Sequence, residues 1–302
     1  MRNFLEYVIL LPFRAMIFIL PLRVVQFLGK LLGTFVFYIV PIRKTLTLSN
    51  LRHAFPEKSE FEIQSIARAS YQNLFATFLE IFWLPRLTQK KIKQCVSASN
   101  VSVIDELMTE QKGVLILSGH FGNWELVALA YAVLCAHPLL LIVQKQRNRY
   151  VDALMNKMRT MFGNDVIVME QSPREVLKRL HENKGVALLA DQSGPEGGLF
   201  VNYFGRPAST HQGPAVFALR TGAPMMMGFM VRQPHGKFFI EVEKISYTGI
   251  GETEEDKIRA ITERHVQMLE KYVRKYPDQW LWMHKRWKHT DTYLQRTAAE
   301  SK

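Results

Sequence analysis

Two cysteines in 302 residues, Cys95 and Cys135, leave no Cys-x-x-Cys spacing. Zinc-knuckle and dithiol redox chemistry therefore lack their ligands, and a reduced, cytoplasm-facing compartment is expected. No uncharged apolar run approaches the roughly 18 residues of a clean membrane span. No small-residue cleavage site follows the apolar N-terminal stretch, so a cleaved signal peptide is not expected. There is no internal repeat and no zinc-finger, helix-turn-helix or RNA-recognition signature, and nucleic acid is not an expected partner. Acidic residues are scarce, 27 against 39 Lys and Arg, for a formal charge of +12. A membrane surface, a phosphorylated substrate or an acidic carrier protein would each answer that excess of positive charge.

What is present is apolar: 48% of the residues are hydrophobic, enough for one large α/β domain and incompatible with disorder. The hydrophobic residues are most concentrated in residues 1–42, where Glu6, Arg14, Arg23 and Lys30 interrupt them and Pro21 divides two helices. The first, Phe4 to Leu20, would be about 26 Å long, marginal against a hydrocarbon core of about 30 Å. The second sets Arg23, Gln26, Lys30 and Thr34 on one stripe, an amphipathic pattern. Residues 1–42 are expected to associate with a membrane, and the basic residues at 14, 23, 30, 43 and 44 to hold the following chain on its cytoplasmic side. A buried N-terminal hairpin of a soluble protein is the competing reading.

The centre of the chain is Gly113 to Leu126, GVLILSGHFGNWEL. Val114 to Leu117 read as a strand buried on both faces, which stops at Ser118-Gly119 and gives way to a helix after Gly122-Asn123. His120 falls at the turn and Glu125 in the first helical turn, outside the carboxyl end of a strand, where open α/β sheets build their sites. A histidine can take a proton from a hydroxyl, and a carboxylate on its far nitrogen would fix its tautomer. Glu125 is the expected carboxylate. The glycines flanking Phe121 would let backbone approach a bound group.

Before the centre, Ser59 and Glu62 form a capping box for a helix that ends at Pro85 and packs the N-terminal segment onto the domain. Residues 88–112 hold one strand and one short helix. Beyond the centre, strands are expected at Leu139 to Val143, Val166 to Met169 and Val186 to Ala190, with helices at Tyr150 to Met161 and after Ser172, the latter as N-cap. The last of these strands delivers Asp191 to a strand end. Such alternation argues for a mostly parallel sheet flanked by helices. Gln192 to Gln212 reads as a long loop, a kind that is usually functional. A helix (Gly213 to Thr221), two strands hairpinned about His235-Gly236, a helix (Glu254 to Tyr276) and a Trp-rich basic segment, Gln279 to Lys288, complete a domain over residues 43–290. A polar tail occupies 291–302.

The segments GHFGNWE, Asn50-Leu51 with Ala54-Phe55-Pro56-Glu57, Ala190-Asp191-Gln192, FVNYFGRPASTHQGPA with Thr221-Gly222-Ala223-Pro224, and QWLWMHKRWK, taken in order, resemble the late acyltransferases of lipid A biosynthesis, the lauroyl/myristoyl transferases. The resemblance covers nearly the whole chain. It implies a glycerolipid-acyltransferase-like α/β fold on the inner membrane, its catalytic domain facing the cytoplasm. The implied reaction moves an acyl chain from acyl carrier protein to a hydroxyl on a Kdo-bearing lipid A precursor, with no cofactor or metal.

By position, His120 and Glu125 match the catalytic pair, with Asp191, Asn123 and Gly122 supporting. The amides near Gly122 and Asn123 would stabilise an oxyanion. Asn148, Arg159, Thr210, Arg286 and Lys288 are expected to bind substrate, and Asp152 fits the segment that follows the second strand. The family's Tyr-Arg-Pro ahead of that asparagine is replaced by Val143-Gln144-Lys145, so Lys145, Arg147 or Arg149 would have to replace the arginine. Three other readings remain open at this level: acylation of another lysolipid or glycolipid, a metallohydrolase using His120, Asp191 and His211, and a non-catalytic membrane scaffold.

Overall fold

The computed structural model describes residues 2–100 and 102–300. Its strands are β1 (Val96–Ala98), β2 (Val114–Ser118), β3 (Leu139–Val143), β4 (Asp165–Val168), β5 (Gly185–Leu189), β6 (Leu199–Tyr203), β7 (Arg206–Thr210), β8 (Met225–Arg232) and β9 (Phe238–Ile245). Seven of them form one sheet in the order β1-β9-β8-β2-β5-β3-β4. Every neighbouring pair is parallel except β8 and β9, which form the expected hairpin. The all-apolar strand β2 lies inside, between β8 and β5, and is buried along its whole length. Its alternating side chains feed two cores. Leu115 and Leu117 join Phe229, Trp280 and Trp282 on one face, whereas Val114 and Ile116 join Leu126, Leu129 and Tyr131 on the other.

Four local expectations change. The long loop holds a two-stranded antiparallel hairpin, β6 with β7, outside the main sheet. Its glycines and prolines mask strands that pair only with each other and bury Val201, Tyr203 and Ala208. Ser172 is the first residue of its helix (Ser172–His181) rather than its cap. A 3-10 turn, Met169–Gln171, leads into that helix, and the Ser172 hydroxyl donates back to the Met169 carbonyl at 2.8 Å. Residues 88–112 carry two short helices, Gln89–Cys95 and Ser102–Met108, where one was expected. At the carboxyl end the segment called a polar tail is helical over Thr290–Glu300, and Tyr293 stacks on Phe200 of β6 at 4.0 Å. Met1, Ser301 and Lys302 lie outside the described residues.

The N-terminal helices are Arg2–Ile19 and Leu22–Tyr38. The carbonyls that end the first have no intrahelical partners. Arg86 donates to the Phe18 and Leu20 carbonyls at 2.7 and 2.8 Å, and the Trp83 indole to Leu20 at 3.0 Å. The second helix lies along Glu60–Trp83, whose Ser59 capping box is present as expected. A Cβ on Gly29 would collide with the Cα of Ala76, and one on Gly33 with the backbone of Tyr71 and Gln72, so the two backbones run closer than side chains would permit.

The stripe that reads as a polar face is turned partly inward. Gln26 is buried and donates to Glu80 at 2.7 Å, and the Thr34 hydroxyl accepts from Gln72 at 2.8 Å. Val24, Phe27, Leu31, Leu32, Phe35 and Tyr38 are exposed instead. With Phe4, Leu5, Val8, Ile9, Phe13 and Ile19 of the first helix they make a broad apolar surface, of the kind that marks an interaction site. Among the described residues no helix is long and apolar enough to cross a membrane.

Gly29→Val should destabilise the protein by about 1–3 kcal/mol, the usual cost of overpacking a close contact. Thermal melting in detergent measures this, and an unchanged melt would mean that the two helices do not need their close approach.

Candidate active site

His120 and Asp191 leave the carboxyl ends of β2 and β5, which are paired in register up to Ser118 and Leu189. The ladder continues one step further, the Ala190 amide donating to the Ser118 carbonyl at 2.9 Å, and so the two following residues meet. The His120 imidazole Nδ1 lies 2.9 Å from Asp191 Oδ1, and the His120 backbone N–H donates to Oδ2 at 2.7 Å. The indole N–H of Trp280 completes the set at 2.9 Å to Oδ2. Asp191 is thus a buried carboxylate with three N–H partners, two from His120 and one from Trp280.

Burial alone would raise the pKa of Asp191, but His120 and the Trp280 N–H outweigh it and hold the carboxyl down at about 2. For His120 burial disfavours the charged ring, yet the Asp191 charge and hydrogen bond, with a contribution from Glu125, leave its pKa raised. With Nδ1–H directed at the carboxylate, Nε2 is the free nitrogen of a side chain that stays 20% exposed.

This corrects the partner assigned to Glu125. Its two oxygens accept from Arg159 Nη2 at 2.7 Å and Nε at 2.9 Å, a bidentate pair that is nearly buried on both sides. Glu125 therefore reaches His120 through its charge and not by a hydrogen bond. Arg159, for its part, is consumed by Glu125 and is not a free phosphate clamp.

The glycines of the turn make room for the protein itself. A Cβ on Gly119 would lie 3.1 Å from Asp191 Oδ2. Gly122 has φ +54° and sits against the Met230 carbonyl, where no Cβ fits. The Gly122 N–H donates to the Gln279 carbonyl at 2.8 Å, so it is not an available oxyanion donor. Asn123 caps the Trp124–Leu134 helix, Oδ1 accepting from the Leu126 N–H at 2.9 Å. The Trp-rich segment clasps this turn. Leu281 N–H donates to the His120 carbonyl at 3.1 Å, Phe121 bridges Trp280, and Asn50 donates to the Trp282 and His284 carbonyls at 2.9 and 3.0 Å.

Other expected substrate residues have structural partners. Asn148 caps the Arg149–Arg159 helix and donates to the Asn3 carbonyl at 2.8 Å and to Glu6 at 3.0 Å, fastening the first helix. Arg147 also faces Glu6, at 3.6 Å, and Arg149 folds onto its neighbour Tyr150. Asp152 accepts from the Gln146 N–H at 2.8 Å, and Lys145 is exposed. Arg286 is fully buried, donating to the Ser209 carbonyl at 2.6 Å and to Thr210 Oγ1 at 2.7 Å, and burial brings its pKa down to about 10. Arg286 and Thr210 hold the β7 end in place, whereas Lys288 stays at the surface. His211 does not join His120 and Asp191: among the described residues no three His, Cys, Asp or Glu side chains form a cluster that could hold a metal ion.

Behind the turn is a polar network that the linear reading overlooked. Glu80 is completely buried and accepts from Gln26, Asn123 and Arg232, and Arg232 also donates to Asn73 and Thr77. A signal for it does exist. Asn73, Thr77 and Glu80 recur at helical spacing in a helix whose neighbouring faces are apolar.

The family model of bacterial lipid A biosynthesis acyltransferases matches residues 2–289. The chain is similar to the lipid A biosynthesis palmitoleoyltransferase of Escherichia coli (strain K12), 23% identical over 278 residues that cover 89% of this chain and 86% of that protein. It is also similar to the lipid A biosynthesis lauroyltransferase of the same organism, 24% identical over 275 residues, covering 89% and 87%. A phosphatidylinositol mannoside acyltransferase of Mycolicibacterium smegmatis is 23% identical over 164 residues, covering 53% of this chain and 54% of that protein. With its strand-end histidine paired to an acidic side chain and a family match running almost from end to end, this chain belongs to the bacterial lipid A biosynthesis acyltransferases.

Proposed function

We propose that the protein transfers a fatty acyl chain from acyl carrier protein to a hydroxyl of a lipid A precursor, working at the cytoplasmic face of the inner membrane. Acyl transfer onto lipid A follows from the family. The reading of the chemistry is carried by one observation, the His120–Asp191 hydrogen bond, which leaves Nε2 as the basic nitrogen.

In this reaction His120 Nε2 takes the proton of the acceptor hydroxyl as its oxygen attacks the thioester carbonyl of the donor. The imidazolium is stabilised by Asp191 directly and by Glu125 at longer range. Collapse of the tetrahedral intermediate breaks the carbon–sulfur bond, and His120 returns the proton to the departing thiolate. The new ester and the carrier thiol are the products. Since Gly122 N–H is taken by Gln279 and Asn123 is wholly buried, the oxyanion falls to the first amides of the Trp124–Leu134 helix, where the helix dipole also favours negative charge.

Support for a membrane setting comes from the exposed apolar surface of the first two helices. Phe78, also exposed, is edge-on to Trp124 at 6.5 Å, and Trp124 lies 5.3 Å from the His120 ring. Apolar groups therefore lead from that surface to the base, a suitable path for acyl chains. A metallohydrolase draws no support from the residues around His120.

Mass spectrometry of lipid A from cells with and without the gene tests the assignment, and identical lipid A would overturn it. The wild-type protein should sediment with membranes and be released by detergent but not by salt. Recovery in the supernatant without detergent would remove the membrane setting.

The base is active only when neutral, so kcat/KM should rise with pH through the pKa of His120, above the ordinary value near 6.5. Asp191→Asn removes the charge that sustains that raised value, burial then prevails, and the rising limb should move to lower pH while the plateau falls. In serine-protease triads the corresponding change costs about 10⁴-fold. His120→Ala and Asp191→Ala should not multiply, because residues acting as one unit lose most of their effect with the first removal. Acyl transfer from acyl carrier protein in mixed micelles measures both, and an unmoved limb in Asp191→Asn would sink the pairing.

A further inference from the structure

Acidic residues are missing from long stretches of this chain. None lies between Glu6 and Glu57, between Glu80 and Asp105, or between Glu196 and Glu241. Parts of these three stretches meet at the joint between the first two helices. Arg86 donates to the Phe18 and Leu20 carbonyls, where the first helix ends, and its guanidinium stands 5.7 Å from the Phe18 ring. Lys91 donates to the Arg86 carbonyl at 3.2 Å, and Lys237 donates to the Gln94 carbonyl at 2.7 Å. Arg23, in the first turn of the second helix, donates to the His235 carbonyl at 3.2 Å. Lys90 and Lys93 share the Gln89–Cys95 helix with Lys91, and all three lysines are exposed while Ile92 between them is buried.

These contacts gather six cations on one rim, and none of the six has a carboxylate partner among the described residues. Elsewhere the surface mixes its charges. Lys178 faces Glu175 and Glu182, Lys184 faces Glu182, and Lys271 and Lys275 each lie 2.6 Å from a glutamate, Glu243 and Glu241. On the rim the positive charge is left for something outside the chain to balance.

Two features say which anion suits it. The rim borders the exposed apolar surface of the first two helices, with Phe18, Ile19 and Phe27 nearest to it in sequence. A basic cluster beside an amphipathic helix matches a bilayer that carries anionic headgroups, since lysine and arginine stems lie along apolar groups while their charged ends reach the headgroup layer. The second feature is direction. β8 runs parallel to β2 and β9 antiparallel to β8, so the turn that carries Lys237 lies at the carboxyl end of β2, where His120 stands. β1 runs parallel to β9, so the Gln89–Cys95 helix enters it from that same end.

We infer that Arg23, Arg86, Lys90, Lys91, Lys93 and Lys237 form a docking site for the phosphodiester headgroups of anionic phospholipids, which turns the His120 end of the sheet toward the bilayer. The inference rests on the membrane setting proposed above and adds a lipid preference to it.

The test floats the full-length protein, diluted from detergent, with vesicles of phosphatidylcholine alone or of equal parts phosphatidylcholine and phosphatidylglycerol. A Lys or Arg near an anionic surface contributes about fivefold, so partition onto the mixed vesicles should exceed that onto the neutral ones by about 10²-fold or more. That excess should vanish in about 1 M salt, where the Debye length is about 3 Å, whereas binding to neutral vesicles should survive because the apolar surface carries it. Lys90→Gln, Lys91→Gln, Lys93→Gln and Lys237→Gln combined should cut the preference by at least about tenfold and leave neutral binding intact. Lys178→Gln, Lys184→Gln, Lys271→Gln and Lys275→Gln combined remove the same net charge where acids face it, and the preference should persist.

A wild-type preference below about threefold, a rim variant with the wild-type preference, or a control variant that loses as much as the rim variant would overturn the inference. So would a rim variant that keeps its preference and instead shows a raised KM for acyl carrier protein, which would assign the rim to that acidic partner. If the rim variant does not fold, amine acetylation of the wild type read by mass spectrometry supplies the measurement. Mixed vesicles should shield Lys90, Lys91, Lys93 and Lys237 more than neutral ones do, and equal shielding would overturn the inference. A wild type that floats with neither vesicle removes the membrane setting itself, whereas one that floats equally with both removes only the lipid preference.

Discussion

A carboxylate buried in a protein must find hydrogen-bond donors or give up its charge, and Asp191 finds three. They come from a backbone amide and an imidazole at the β2 end and from the indole of Trp280, 89 residues beyond Asp191 itself, so meeting the needs of one anion requires three remote segments to converge. The Trp-rich segment is on this account part of the site's frame. Trp280 and Trp282 fill the core beside β2 while their backbone clasps the His120 turn and is itself held by Asn50. The same anion makes His120 a stronger base than its burial would allow.

Three buried cations divide the remaining work. Arg159 binds Glu125, Arg232 binds Glu80, and Arg286 relies on a carbonyl and a hydroxyl of β7, with no direct carboxylate partner among the described residues. Each would be costly to leave uncompensated, so the positive charges nearest the turn hold the protein together and are not spare contacts for phosphate. Lys145 and Lys288, by contrast, remain at the surface.

The N-terminal helices reverse the usual globular arrangement. Gln26 is spent on Glu80 and the glycine edge on close packing, which leaves the bulky apolar residues facing out. Water is a poor solvent for such a face and a lipid interface a good one. Through Gln26 and Glu80 the helix that bears this face is connected to Asn123 in the His120 turn.

Local sequence was enough for much of the fold. Short apolar runs and capped helices marked the parallel sheet, Ser59 and Glu62 their capping box, and the ends of two strands the places of His120 and Asp191. These signals depend on residues a few positions apart. The β6–β7 hairpin escaped because strands that pair only with each other, among glycines and prolines, lack the buried apolar run that betrays a central strand. Which carboxylate would meet the histidine was a different kind of question. Glu125 is the nearer in sequence, yet β5 lies beside β2 in the sheet and brings Asp191 to Nδ1, while the helix turns Glu125 toward Arg159. Strand order, and with it the choice of partner for every buried charge, depends on how remote segments share one core, and no periodicity within a single segment records that.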